Sequence, residues 1–79
     1  MNGVMPMPEI VKIQRPLDPP NAEWMIYDQH RQRRQFIAPG DVPAHVKVAM
    51  GEAAKGYFRA VWNPPGGWTI TKKVADQNW

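Results

Sequence analysis

The chain contains no cysteine and no serine. The first absence excludes disulfides and thiolate-held zinc, and it fits a reducing cytoplasm. The second leaves Ser-His or Cys-His catalysis without a starting atom, except for Thr69 and Thr71, which both read onto an exposed strand face. His30 and His45 stand singly on a loop and a helix, without the spacing that converging zinc ligands need. Seven Asp and Glu residues are scattered one at a time, so no pair offers an acid and a base at a fixed separation. Adjacent glycines occur only at Gly66 and Gly67, in a hairpin loop, and no glycine-rich phosphate cradle precedes a helix. No apolar run is long enough to span a membrane. The first ten residues also lack the basic-then-apolar order of a secretion signal. The expectation is a cytoplasmic protein that is not an enzyme, carries no cofactor or metal and meets no membrane.

Seventy-nine residues make one domain, and such a chain buries only roughly 60–65% of its unfolded surface. Four tryptophans, two tyrosines and two phenylalanines must supply much of its core. A homodimer is a second way for so small a domain to hide apolar surface. The net charge of +3 attracts nucleic acid or an acidic protein and disfavours a mimic of nucleic acid.

Along the chain, residues 1–8 read as a flexible N-terminal arm and 9–79 as a single α+β domain. Residues 10–15 form a first strand with Val11 and Ile13 on one face, ended by Pro16, Pro19 and Pro20. Residues 23–37 read as a hairpin with Gln29, His30 and Arg31 in the loop. This register sets Trp24 against Phe36 and Ile26 against Arg34, with Trp24, Ile26 and Phe36 inside; Met25 then faces Gln35, and Tyr27 faces Arg33. A slip of one residue would exchange these faces. Asp41 is the expected N-cap of a helix with Pro43 in its first turn. Its buried stripe is Val42, Val46, Ala49, Met50 and Ala53, and Gly56 is its latest possible end.

Residues 56–74 read as the most informative hairpin. With 63–67 as the loop, Trp62 faces Trp68, Ala60 faces Ile70 and Phe58 faces Lys72 on an apolar side. Val61 with Thr69, Arg59 with Thr71 and Tyr57 with Lys73 make the polar side. The order β-ββ-α-ββ describes a small antiparallel sheet with one helix, and an SH3-like barrel is the nearest common architecture.

Two constellations point to a binding surface. Arg31, Arg33 and Arg34 are three arginines in four positions on the second hairpin, a density suited to phosphate contacts as well as to solubility. Tyr57, Arg59 and Lys73, with Tyr27, set aromatics among cations on a sheet face, which suits base stacking with backbone neutralisation and equally a protein interface. No aromatic motif of the RNA-reading kind accompanies them. Trp79 is either a plug against the sheet or an anchor for a partner.

The segments VKIQRPL (11–17), WMIYD (24–28), GYFRAVW (56–62) and VADQNW (74–79) resemble small proteins of bacterial phage and plasmid regions. The resemblance implies a cofactor-free protein of a bacterial host's cytoplasm. It also implies inhibition of a nucleic-acid-processing complex, in the manner of the anti-CRISPR proteins, with a host protein or ribonucleoprotein complex as partner. Its site would be blocked by Arg31, Arg33, Arg34, Tyr27, Tyr57, Arg59 and Lys73, read as contacts from the residues alone. Direct binding of nucleic acid by a basic β-domain is the alternative, and a structural subunit of a phage or plasmid assembly is the third.

Overall fold

Val11 and Ile13 alternate with Lys12, so β1 (Glu9–Gln14) buries one face and turns the other outward. β1 is the central strand of a five-stranded antiparallel sheet ordered β3-β2-β1-β4-β5, with β2 at Trp24–Tyr27, β3 at Arg34–Ile37, β4 at Lys55–Asn63 and β5 at Gly67–Lys73. The computed structural model describes residues 7–17, 22–32 and 34–79. Positions 1–6 of the expected arm lie outside the described residues, as do Pro19, Pro20 and Arg33. A short helix α1 (Ala44–Met50) covers one face of the sheet. There Val42, Val46 and Met50 join Val11, Ile13, Trp24, Ile26, Phe58, Ala60, Trp68 and Ile70 in one buried cluster. Among the described residues no helix is long and apolar enough to cross a membrane.

The α+β order and the five-stranded antiparallel sheet agree with the sequence reading, and the sheet is curled into a half-barrel. Its two edges are tied by a side chain. The Trp68 N–H donates to Gln35 Oε1 at 2.7 Å, so β3 satisfies a backbone donor of β5 from across the open side. The closure depends on Gly67, which has φ of +103° and lies so close to the Gln35 carboxamide that a Cβ would overlap it. Gly67→Ala is therefore expected to cost about 1–3 kcal/mol, through left-handed strain and loss of this bond. Denaturant titration should show a lower midpoint with an unchanged slope.

Three local expectations are corrected. The β2–β3 pair is slipped by one residue. Trp24 faces Ile37, Met25 faces Phe36, Ile26 faces Gln35 and Tyr27 faces Arg34. Phe36 is thus not inside but 55% exposed, while Gln35 and Ile37 turn toward the core. A longer connection permits the slip. The buried Asp28 carboxylate accepts the N–H groups of His30 and Gln32 at 3.0 and 2.9 Å, and Arg31 takes φ of +59°. The inward Gln35 gains the free edge donor of β5, which a phenylalanine there could not satisfy.

Asp41 does not cap the helix. It ends a 3₁₀ turn, Pro39–Asp41, and Val42 is extended with ψ of 127°. A residue before proline is pushed out of the α region, so Val42-Pro43 separates the two helical pieces and Pro43 takes the N-cap position. Gly51, at φ of +58°, stops α1 after Met50 and leaves Ala53 exposed beyond it. Two cations serve the short helix's C-terminal carbonyls: Arg15 Nη2 donates to Gly51 O at 2.6 Å and Lys73 Nζ to Ala49 O at 3.2 Å.

In the last hairpin Trp62–Trp68, Val61–Thr69 and Ala60–Ile70 pair as expected. A β-bulge then shifts β5, so that Arg59 faces Lys72 and Phe58 faces Lys73. Thr71 is the extra residue, and its hydroxyl donates to Arg59 O at 2.7 Å. The bulge exchanges the two lysines: Lys73 leaves the polar face for the helix side, and Lys72 takes its place.

Candidate nucleic-acid interface

The sheet face opposite α1 carries a row of matched positions across four strands. Arg34 of β3 faces Tyr27 of β2, Tyr27 faces Lys12 of β1, and Lys12 also faces Tyr57 of β4. The row alternates cation and aromatic because β1, β2 and β4 all turn their odd-one-out residues to this side. Lys12 Nζ stands 5.3 Å and Arg34 Cζ 5.5 Å from the Tyr27 ring centroid, both over the ring. Beside this row lie Ile10, Arg59 and Lys72; on its other side lie Phe36, Met25, Gln14 and Lys55. Among the described strand residues none that shares this face is acidic, so the strands give it positive charge only.

Residues 74–79 run on from β5 and cover the end of the row. The Val74 N–H donates to Tyr57 O at 2.9 Å, and the Trp79 ring meets the Tyr57 ring edge-on, 5.6 Å between centroids and 72° between planes. Trp79 is thereby a plug against the sheet. Between it and the β2–β3 connection lies a cavity of about 320 Å³ lined by Lys12, Gln14, Tyr27, Arg31, Arg34 and Trp79.

Of the residues singled out from sequence, Tyr27, Arg31 and Arg34 meet at this cavity, and Arg59 lies exposed on the same face. Tyr57 is on that face but only 1% exposed, because Trp79 and the strand-like continuation cover it. It is a support for the surface and not a contact. Lys73 is on the other face, bound to α1, and Arg33 lies outside the described residues. Sequence reasoning missed Lys12, Gln14 and Lys72. Lys12 and Gln14 carried a usable signal, since both alternate with the buried Val11 and Ile13. Lys72 was hidden by the bulge.

The Tyr57 hydroxyl is buried without a hydrogen-bond partner among the described residues. Removing it relieves an unsatisfied group, so Tyr57→Phe should be neutral or stabilising by about 1 kcal/mol in thermal or denaturant melts. A loss of stability would show that the hydroxyl is satisfied after all. Compared with protein-family models, curated proteins and solved structures, the chain matches none.

Proposed function

We propose that this chain is a non-enzymatic binding module that engages nucleic acid through the sheet face opposite α1. One observation carries the reading: the Arg34–Tyr27–Lys12 row, in which two cations are held over one aromatic ring and the described strand positions around it carry no Asp or Glu. The cations, spaced by Tyr27, neutralise phosphates, and the Trp79 ring at the end of the row offers a base a stacking surface. The open β-sheet surface, with no helix on it among the described residues, favours single strands over the major groove of a duplex. Fluorescence anisotropy with a labelled single-stranded oligonucleotide tests it. Binding should be measurable at about 50 mM salt and fall steeply by about 200 mM. No binding at the lower salt removes the reading.

A second reading is favoured by Phe36, 55% exposed and paired with Met25 on the same face. An exposed aromatic beside arginines suits a protein anchor. On this reading the face docks on a nucleic-acid-processing complex of a bacterial host and blocks it, as the likeness to phage and plasmid proteins implies. Co-elution with a CRISPR surveillance complex, lost in Phe36→Ala, would favour it over direct binding.

A further inference from the structure

The cavity at the end of the cation–aromatic row has a more specific chemistry than the face around it. Its lining combines three cations, one amide and two rings: Lys12, Arg31, Arg34, Gln14, Tyr27 and Trp79. No Asp or Glu side chain lines it among the described residues. Asp28, the nearest acid in the β2–β3 connection, opens instead on the neighbouring cavity with Glu9 and His30, and its oxygen is occupied by the His30 and Gln32 amides. Among the described residues Lys12 and Arg34 are placed over the Tyr27 ring, and Arg31 is held outward on a left-handed residue whose N–H donates to Asp28 O at 2.9 Å. Three cations converge here with no acidic side chain among the described residues, a set that a phosphate completes.

The two rings differ in what they offer. Tyr27 is already flanked by Lys12 and Arg34, so it serves as a spacer that fixes them. Trp79 touches Tyr57 edge-on and still lines the cavity, so its indole remains open to a second flat group. A volume of about 320 Å³ is at the low end of small-ligand sites, which run from about 300 to 1,000 Å³. That is room for one nucleotide unit and not for a stacked run.

We infer that this cavity holds a single nucleotide of a bound strand, its phosphate among Lys12, Arg31 and Arg34 and its base on the Trp79 indole. This rests on the nucleic-acid reading of the face and adds to it where a base is received. Gln14, which also lines the cavity, supplies the amide for the base edge.

The test compares a short oligothymidylate with an abasic strand of the same length and phosphate count, at one salt concentration. The intact protein should bind the base-bearing strand roughly tenfold more tightly, the order expected for one stacked base. Trp79→Leu, which keeps an apolar cover over Tyr57, should abolish this preference, bringing the affinities for the two strands together. Arg34→Gln should weaken both strands alike, because it removes a phosphate partner and no stacking surface. Equal affinity of the intact protein for both strands, or a preference that survives Trp79→Leu, overturns the cavity proposal and leaves the general reading standing. Failure of both strands to bind at low salt overturns both. Unchanged melting of each variant, checked by circular dichroism, separates these outcomes from misfolding.

Discussion

Phe58→Ala should remove about 3–5 kcal/mol, a large share of the protein's stability. Phe58 is fully buried, opposite Val11 in the β1–β4 pair and in one cluster with Val46 and Met50 of the helix side. Truncating a buried phenylalanine costs about 3–5 kcal/mol in lost transfer energy and residual cavity. Domains are stabilised by roughly 0.05–0.15 kcal/mol per residue, so a chain of this length has only about 4–12 kcal/mol to lose. The same substitution at a large exposed site, Phe36→Ala, should change stability by no more than about 0.5 kcal/mol. Paired denaturant titrations would show the difference. A similar effect at both positions would mean that the β2–β3 register has been assigned to the wrong face.

The second large effect concerns binding. Lys12→Glu combined with Arg34→Glu should reduce affinity for a single strand roughly a hundredfold near 0.1 M salt and lower the salt slope by about two, since two phosphate contacts are lost. The fold should tolerate the change. Each of the two cations sits over Tyr27, and such contacts at exposed sites contribute only about 0.5–1 kcal/mol. Reversal at Lys73, which lies on the helix side, should leave the affinity much closer to normal while loosening the end of α1. Should Lys73→Glu abolish binding and the double reversal spare it, the interface would belong to the other face.

These contrasts also mark where the sequence was legible. Strict alternation in β1 and in the first half of the β4–β5 hairpin made the core readable: Val11, Ile13, Phe58, Ala60, Trp62 and Trp68 follow a period of two, and Trp62 meets Trp68 edge-on as a cross-strand pair should. The helix position followed from Val42, Val46 and Met50. Its start did not, because the steric effect of Pro43 on Val42 outweighs the capping preference of Asp41. In 23–37, residues 24–27 and 34–37 are apolar enough on both faces that pattern alone fixes no register. What fixes it is Gln35, whose partner lies 33 residues away.

The site was legible in kind and misassigned in part. Tyr27, Arg31, Arg34 and Arg59 were identified from the mixture of arginine and aromatic residues, and they do share a face. Lys73 was placed wrongly because a bulge at Thr71 leaves no mark in a run of TITKK. Tyr57 was placed on the right face but taken as exposed. Only the return of Trp79 over its ring reveals otherwise, and residues 74–79 show no periodicity from which that path could be read.

Chemical-shift mapping during titration with a short oligothymidylate tests most directly whether the surface away from α1 is where nucleic acid is met. Amides of Lys12, Tyr27, Arg34 and Arg59 should move together and saturate at one ligand concentration, with Val46 and Val48 of α1 unmoved. Shifts centred on α1 and Lys73, with the Arg34–Tyr27–Lys12 row silent, would contradict the account.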